Sequence, residues 1–243
     1  MAAFFSPGSR SVITITVILY CIGTNYLLTA LETPHLIDER TWVDRSLAPL
    51  WDQSGPNNHY YALHHPSFAR LAYGTVLRAR GVYSLDRPLV DYSQSAEWNF
   101  ERGAFVPLYI ETPLRMVNVA FLTGMIAFVY LGLKRILANR VLALAGCLPL
   151  LFNYPIRGGT AAYLGTDAML LFWLAAFWYI WLTLGSRGFW GVLAMTLAGG
   201  LMVSTKVNGV FALGGAGLYY LVTGRGIRRL LYPLTLAVVP FAV

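Results

Sequence analysis

Long apolar runs alternate with short polar links along most of this chain, and the runs have the length of membrane-crossing helices. About 20 apolar residues cross roughly 30 Å of hydrocarbon, and the first run is of that length. The pattern therefore predicts an all-α polytopic membrane protein with about seven transmembrane helices. The predicted crossings are Ser11–Leu31, Pro113–Leu133, Val141–Tyr154, Asp167–Leu184, Phe189–Thr205, Val207–Val222 and an incomplete Leu230–Val243.

One long polar stretch, residues 32–111, separates the first run from the others and is predicted to be a large loop with two short helices. The first helix is Asp38–Ala48. The second is Pro66–Arg80, since proline suits a first turn and Gly81 a C-terminal stop. Its amphipathic pattern indicates a helix lying in the membrane interface; packing on the rest of the loop is the alternative. The predicted apolar face is Phe68, Leu71, Ala72, Thr75, Val76 and Ala79, and the polar face carries Arg70, Arg78 and Arg80.

Basic residues cluster in alternate links, and cytoplasmic links of membrane proteins collect lysine and arginine. This pattern predicts a cytoplasmic N-terminus, with residues 32–111, the glycine-rich link at 155–166 and Lys206 on the extracytoplasmic side. The residues that define the cytoplasmic side are Arg10, Lys134, Arg135, Arg140, Arg187, Arg225, Arg228 and Arg229.

Composition supports a single transmembrane domain over residues 1–243. Only 12% of the residues are charged, whereas about a quarter are charged in a soluble domain. The net charge of +7 is spread over short links, so no nucleic-acid partner is expected. Two cysteines make neither a disulfide framework nor a metal cluster. The last run, at about 21 Å of helix, is too short to span, so the chain is expected to be part of a longer protein.

The acidic residues are distributed unevenly. All but one of the eleven lie in residues 32–111, together with all four histidines, and Asp167 is the exception. Ionisable groups at a membrane are costly and are therefore functional candidates. On the predicted outer side the candidates are Asp38, Glu39, His64, His65, Asp167 and Lys206.

Each candidate also has a structural interpretation. Asp167 could be a charge favoured by a helix N-terminus, and Lys206 could extend its ammonium to the membrane surface. Glu39 could pair with a neighbouring arginine on a solvated loop. The two histidines could be ordinary loop residues, because no further ligand spacing marks a zinc site.

Five short motifs follow one another in a recognisable order. An Asp-Glu pair stands just after the first span, and a His-Pro segment opens the second loop helix. An arginine begins the next span, an aspartate opens a later one, and a run of small residues ends in lysine. These motifs are Asp38-Glu39-Arg40-Thr41-Trp42, His65-Pro66-Ser67-Phe68, Arg115 in residues 113–117, Thr166-Asp167-Ala168-Met169-Leu170, and residues 198–206 ending in Lys206.

In order and sidedness, these motifs resemble the GT-C superfamily of polyprenyl-phosphate-sugar-dependent glycosyltransferases. The resemblance is to the branch that includes protein O-mannosyltransferases and lipid A aminoarabinose transferases, and it covers about residues 11–225. Ser67 stands where the family often has a second proline, and residues 82–102 form a longer stretch than expected.

The resemblance implies a GT-C-like fold in an integral membrane protein of the bacterial inner (plasma) membrane, with its active site facing the periplasm. The implied enzyme moves a hexosyl or pentosyl group from a polyprenyl-phosphate donor to a hydroxyl of a protein, lipid or glycan, with inversion. Such a reaction needs a base for the acceptor proton and a cation for the developing phosphate charge. The resemblance suggests Asp38 as the base, and Lys206 or Arg115 as the phosphate clamp.

The remaining candidates are given supporting roles. Glu39 and Asp167 would orient the acceptor or the clamp, or would bind a divalent metal, which is the only cofactor left open. His64 and His65 would contact substrate, and apolar spans would hold the prenyl tail among membrane lipids. The alternatives are a polytopic protein that binds or transports a lipid carrier without transfer, or an assembly subunit whose loop docks a partner.

Overall fold

The computed structural model describes residues 23–31, 37–47, 67–88, 90–91, 93–153, 156, 160–161, 163–184 and 188–223. Within these ranges the chain contains helices and loops and no β-strand, so the predicted all-α class is confirmed there. The helices are α1 (residues 23–31), α2 (Ile37–Leu47), α3 (Ser67–Ala79), α4 (Ala96–Glu101), α5 (Leu108–Leu137), α6 (Arg140–Phe152), α7 (Asp167–Leu184), α8 (Phe189–Thr205) and α9 (Val210–Thr223).

Two of these helices, α5 and α7, are long and apolar enough to cross a membrane. Three shorter apolar stretches accompany them, at Arg140–Leu150, Trp190–Thr205 and Val210–Thr223. The count of seven crossings stays a prediction, and residues 224–243, which contain the predicted last run, lie outside the described part.

Several helix boundaries agree with the sequence pattern, and α7 and α8 agree to the residue. The start of α5 was predicted wrongly, because this helix begins at Leu108 and contains Pro113. A proline inside a helix removes one backbone hydrogen bond. Here the added first turns are held by burial of Ile110, Glu111 and Leu114. Glu111 therefore belongs to the helix and not to the loop.

The start of the last described helix also differs from the prediction. Val207–Gly209 is a 3-10 turn, and the α-helix begins only at Val210. The backbone of Lys206 is extended, with φ −160° and ψ 132°. Gly209 packs so closely on Met202 that an added Cβ would lie 2.7 Å from its Cγ. The chain reverses in this short space, which leaves no room for a regular helical turn.

The core of the bundle is built on α5 and α7, which run in the same direction. Gly124 of α5 meets the Phe172 ring of α7, and Gly132, two turns further on, meets Trp178. In both places an added Cβ would clash with the aromatic ring, so the glycines allow the helices to approach. Helix α1 contacts α6, because Tyr26 of α1 donates a hydrogen bond to the carbonyl oxygen of Leu150 in α6 at 3.1 Å.

The loop helices α2 and α3 pack over the N-terminal ends of α5 and α7. Trp42 and Val43 of α2 and Tyr73 of α3 share one apolar cluster with Leu114 of α5 and Met169 of α7. The two loop helices approach closely at Gly74, where a Cβ would overlap the carbonyl of Ser46.

Two arginines of α3 bind the C-terminal carbonyls of α2. Arg70 Nε donates to the oxygen of Arg45 at 3.0 Å, and Arg78 Nη2 donates to the oxygen of Leu47 at 3.2 Å. The last carbonyls of a helix lack partners within the helix, and cations are favoured there. The two arginines therefore fix α2 against α3.

Half of the face predicted for α3, namely Phe68, Ala72 and Val76, packs against the apolar cluster, and the fully buried positions lie on the adjoining side of the helix. The buried positions are Ala69, Arg70, Tyr73 and Leu77, whereas Leu71 of the predicted apolar face is 51% exposed. Apolar periodicity misses Arg70 and Tyr73 because these residues are buried through hydrogen bonds. The sequence left two positions open for α3, one in the membrane interface and one packed on the rest of the loop. The contact with α2 is of the second kind.

Candidate functional site

Asp167 and Lys206, 39 residues apart in the chain, form an ion pair. Lys206 Nζ lies 2.5 Å from Asp167 Oδ1, and the two side chains are 36% and 59% exposed. Asp167 is the first residue of α7, where the helix dipole favours a carboxylate. Lys206 directly follows α8. The structure thus brings together two of the predicted site residues, and their roles remain predictions.

The turn before Asp167 is held by a buried hydrogen-bond network. The Tyr73 hydroxyl lies 2.6 Å from Asn118 Oδ1 and 2.8 Å from the carbonyl oxygen of Gly165, and it accepts from the Gly165 N–H at 3.1 Å. Asn118 Nδ2 donates to the Tyr163 oxygen at 2.6 Å. Because buried polar groups are costly without partners, this network fixes the backbone that leads into α7.

Asp38 and Glu39 are residues of α2, which begins at Ile37. Their side chains lie outside the described part of the structure. The helix itself is placed beside the start of α7, since a Cβ added at Gly165 would lie 4.0 Å from Trp42 Nε1, and Trp42 packs edge-on against Tyr73 at 6.1 Å between ring centroids. The helix that carries the Asp-Glu pair is therefore at the same end of the bundle as the ion pair.

Arg40 anchors α2 next to the Asp-Glu pair, and the sequence pattern did not single it out. It is 3% exposed, and its Nε lies 2.8 Å from Asp44 Oδ2. Its terminal nitrogens donate to the carbonyl oxygens of Arg87 at 3.1 Å and Ala104 at 3.4 Å. The only sequence signal was the i, i+4 spacing of Arg40 and Asp44, which is typical of a helix salt bridge.

His64 and His65 lie outside the described residues. The helix that follows them, α3, packs on the bundle through Phe68. The Phe68 ring contacts Phe121 of α5 and Trp173 of α7, at centroid distances of 5.9 and 5.5 Å. The first turn of α3 therefore lies beside both helices. The role of the two histidines stays a prediction.

Arg115 is buried, at 3% exposure, in an ion pair with Glu111. Its Nη1 also donates to the carbonyl oxygen of Ala30 at 2.7 Å, near the end of α1. Both terminal nitrogens thus contact protein groups. The arrangement ties α1, the helix that precedes the Asp-Glu pair, to the first turns of α5.

A divalent metal is the one cofactor that the sequence leaves open. Among the residues that the structure describes, no group of three or more histidine, cysteine, aspartate or glutamate side chains is arranged to hold a metal ion. The side chains of Asp38, Glu39, His64 and His65 lie outside the described part of the chain. A divalent metal bound by Glu39 and Asp167 stays a prediction.

Comparisons with known proteins point to one family. The sequence model described as dolichyl-phosphate-mannose-protein mannosyltransferase matches residues 52–233. The fold is similar to a chain in the structure of the S. cerevisiae protein O-mannosyltransferase Pmt1-Pmt2 complex bound to the sugar donor, with a TM-score of 0.64 and 16% sequence identity. That likeness covers 94% of this chain and 32% of the yeast chain, so this chain spans about a third of its structural neighbour. No match is found among curated protein sequences.

Proposed function

We propose, since this chain belongs to the dolichyl-phosphate-mannose-protein mannosyltransferase family, that it acts as a membrane glycosyltransferase using a lipid-linked sugar donor. The observation that carries the proposal is the Lys206–Asp167 pair at the end of the bundle where α2 brings in Asp38 and Glu39. Transfer from a phosphate-linked sugar requires a base and a cation at one place. This end of the molecule supplies both residue types.

Asp38 is proposed as the base and Lys206 as the phosphate clamp. The acceptor oxygen bonds to the anomeric carbon as the bond from that carbon to the phosphate oxygen breaks. The acceptor proton passes to Asp38, and the negative charge stays on the phosphate beside Lys206. Attack opposite the phosphate inverts the anomeric centre. The leaving phosphate needs no strong general acid.

The other candidates are assigned supporting roles. Asp167 would orient the Lys206 ammonium, which it already contacts at 2.5 Å. Glu39 would orient the acceptor or contribute to a divalent metal site, and His64 and His65 would contact the substrate. For Arg115, burial against Glu111 and Ala30 supports a positioning role in preference to direct contact with phosphate.

The base assignment is tested by Asp38→Asn in the full-length protein. This change keeps size and polarity but removes the proton acceptor, so donor binding should survive. Transfer should fall by about 10²–10⁴-fold, the usual contribution of a positioned general base. Glu39→Gln is the matched control and should cost less, since adjacent helix positions are about 100° apart. The measurements are sugar transfer from a polyprenyl-phosphate donor and donor binding.

Near-normal turnover in Asp38→Asn would overturn the assignment. Loss of transfer in Glu39→Gln alone would move the base to the neighbouring carboxylate. If the wild-type protein binds donor but transfers to none of the protein, lipid or glycan acceptors supplied, carrier binding without chemistry becomes the better interpretation.

The proposed face of the membrane is extracytoplasmic, in a bacterial inner membrane, with Lys134 and Arg135 on the cytoplasmic side. Single cysteines at Tyr83 and Ile136, both exposed, test this in a protein lacking Cys21 and Cys147. An impermeant thiol reagent should label Tyr83→Cys from outside and Ile136→Cys only after the membrane is opened. Labelling of both from one side would contradict the topology.

A further inference from the structure

A groove lies between α5 and α7 at the end of the bundle away from Asp167. It has a volume of about 670 Å³ and is bordered by the last turns of both helices. Its wall is partly apolar and also carries two cations. The apolar part is formed by Leu131, Ile180 and Leu184, and the cations are Lys134 and Arg135.

Among the described residues, no acidic side chain borders the groove. Asp167 is the only acidic residue after Glu111, and it pairs with Lys206 at the other end of the bundle. The C-termini of α5 and α7 each contribute about half a negative charge. Two full positive charges outweigh these partial charges, so the groove favours an anion.

The depth of the groove matches the headgroup region of a bilayer. Helix α5 has 30 residues, about 45 Å, which exceeds the roughly 30 Å of hydrocarbon. Lys134 and Arg135 are in its last turn, from which long basic side chains extend their charges to the headgroups. Tyr179 also borders the groove, and its ring packs on Phe128 at 5.7 Å between centroids. Tyrosine is enriched at this level of membrane proteins.

We propose that this groove binds the headgroup of an anionic phospholipid from the surrounding bilayer. The phosphate contacts Lys134 and Arg135, and the adjoining acyl carbons lie on the apolar wall. Arginine matches phosphate with paired N–H donors, and lysine adds a point charge. Basic pockets between transmembrane helices bind acidic lipid headgroups in other membrane proteins. The apolar wall favours a lipid over a soluble phosphate.

The topology of the chain also predicts cations at this end, whether or not a lipid binds there. A comparison with Arg140 distinguishes cations that only orient the chain in the membrane from cations that bind lipid. Arg140 is exposed, begins α6 and does not border the groove. A charge that only orients the chain in the membrane should be equivalent to Arg140. A lipid site should depend on Lys134 and Arg135 and not on Arg140.

The test is phosphatidylglycerol binding to the delipidated full-length protein in non-ionic detergent, followed by native mass spectrometry, with phosphatidylcholine as the neutral comparison. The variant Lys134→Gln/Arg135→Gln should weaken phosphatidylglycerol binding at least about tenfold, since each lost contact is a charge-assisted hydrogen bond. Arg140→Gln should change it less than about twofold. Thr183→Trp fills the groove while leaving its charges, and it should weaken binding as well.

The proposal is overturned if phosphatidylcholine binds equally well, or if both groove variants bind phosphatidylglycerol like the wild type. Equal losses in Arg140→Gln and in the double variant would indicate general surface charge. Displacement of the lipid by inorganic phosphate at equal concentration would indicate a soluble-anion site. If the double variant fails to fold, the result for Thr183→Trp decides. None of these readouts depends on sugar transfer.

Discussion

The two ends of the helix bundle differ in how far their charged and polar side chains are buried. Around the start of α7, Arg40, Arg115 and Tyr73 are buried and bonded to other elements, beside the exposed Asp167–Lys206 pair. At the other end, Arg135 and Arg140 are exposed at helix ends. A buried polar group is costly to leave without its partner, whereas an exposed charge can be changed almost freely. The first end is therefore held in one geometry, as a reaction site requires.

Of the substitutions that test this difference between the two ends, Glu111→Gln should have the largest effect, a loss of stability. It leaves the buried Arg115 guanidinium without its carboxylate, and breaking a buried pair costs about 3–5 kcal/mol. Equilibrium unfolding of the full-length protein in mixed micelles measures this loss. Arg140→Gln, at the other end, should stay within about 0.5 kcal/mol.

A double variant sharpens the result. Glu111→Leu together with Arg115→Met removes both charges, and it should be less destabilised than the sum of the single changes. If Glu111→Gln unfolds at the same denaturant concentration as the wild type, the buried pair contributes nothing and the contrast between the ends fails at this point.

The next effect concerns the exposed ion pair. Lys206→Ala should raise the donor KM by about 10- to 150-fold, which corresponds to the roughly 1.5–3 kcal/mol of a charge-assisted contact with phosphate. Its free energy of unfolding should change by less than about 1 kcal/mol, since an exposed salt bridge stabilises little. Steady-state transfer kinetics and unfolding are both measured.

Two further variants interpret the Lys206 result. Lys206→Arg keeps the charge without the compact geometry and should recover only part of donor use. Arg140→Ala removes one cation from the other end and should leave transfer unchanged. Unaltered kinetics in Lys206→Ala would favour a lysine that only reaches the membrane surface.

The smallest effect is expected for Tyr73→Phe, which removes one hydroxyl from the network around Gly165. Asn118 and the Gly165 backbone then lose a buried partner, at a cost of about 1–3 kcal/mol. Tyr83→Phe is the matched control, because Tyr83 is 71% exposed. Equal stability of the two variants would mean that Tyr73 does not hold the turn before α7.

The sequence predicted what depends on local pattern. Apolar run length located α7 and α8 to the residue. The bounds predicted for α2 and α3 from other local signals are nearly those observed. The order of motifs led to the family. Contacts between distant segments were not readable, because Arg40 and Tyr73 are held by backbone groups far along the chain. The pairing of Asp167 with Lys206 was expected only as proximity on one side of the membrane, since no spacing rule joins positions 39 residues apart.

The contacts of Arg40 determine which substitutions this part of the protein tolerates. The Arg40 guanidinium binds the main-chain oxygens of Arg87 and Ala104. Any residue other than one that distorts the backbone supplies the same oxygens. A substitution at position 87 or 104 that leaves the backbone in place therefore keeps the helix that carries Asp38 and Glu39 anchored.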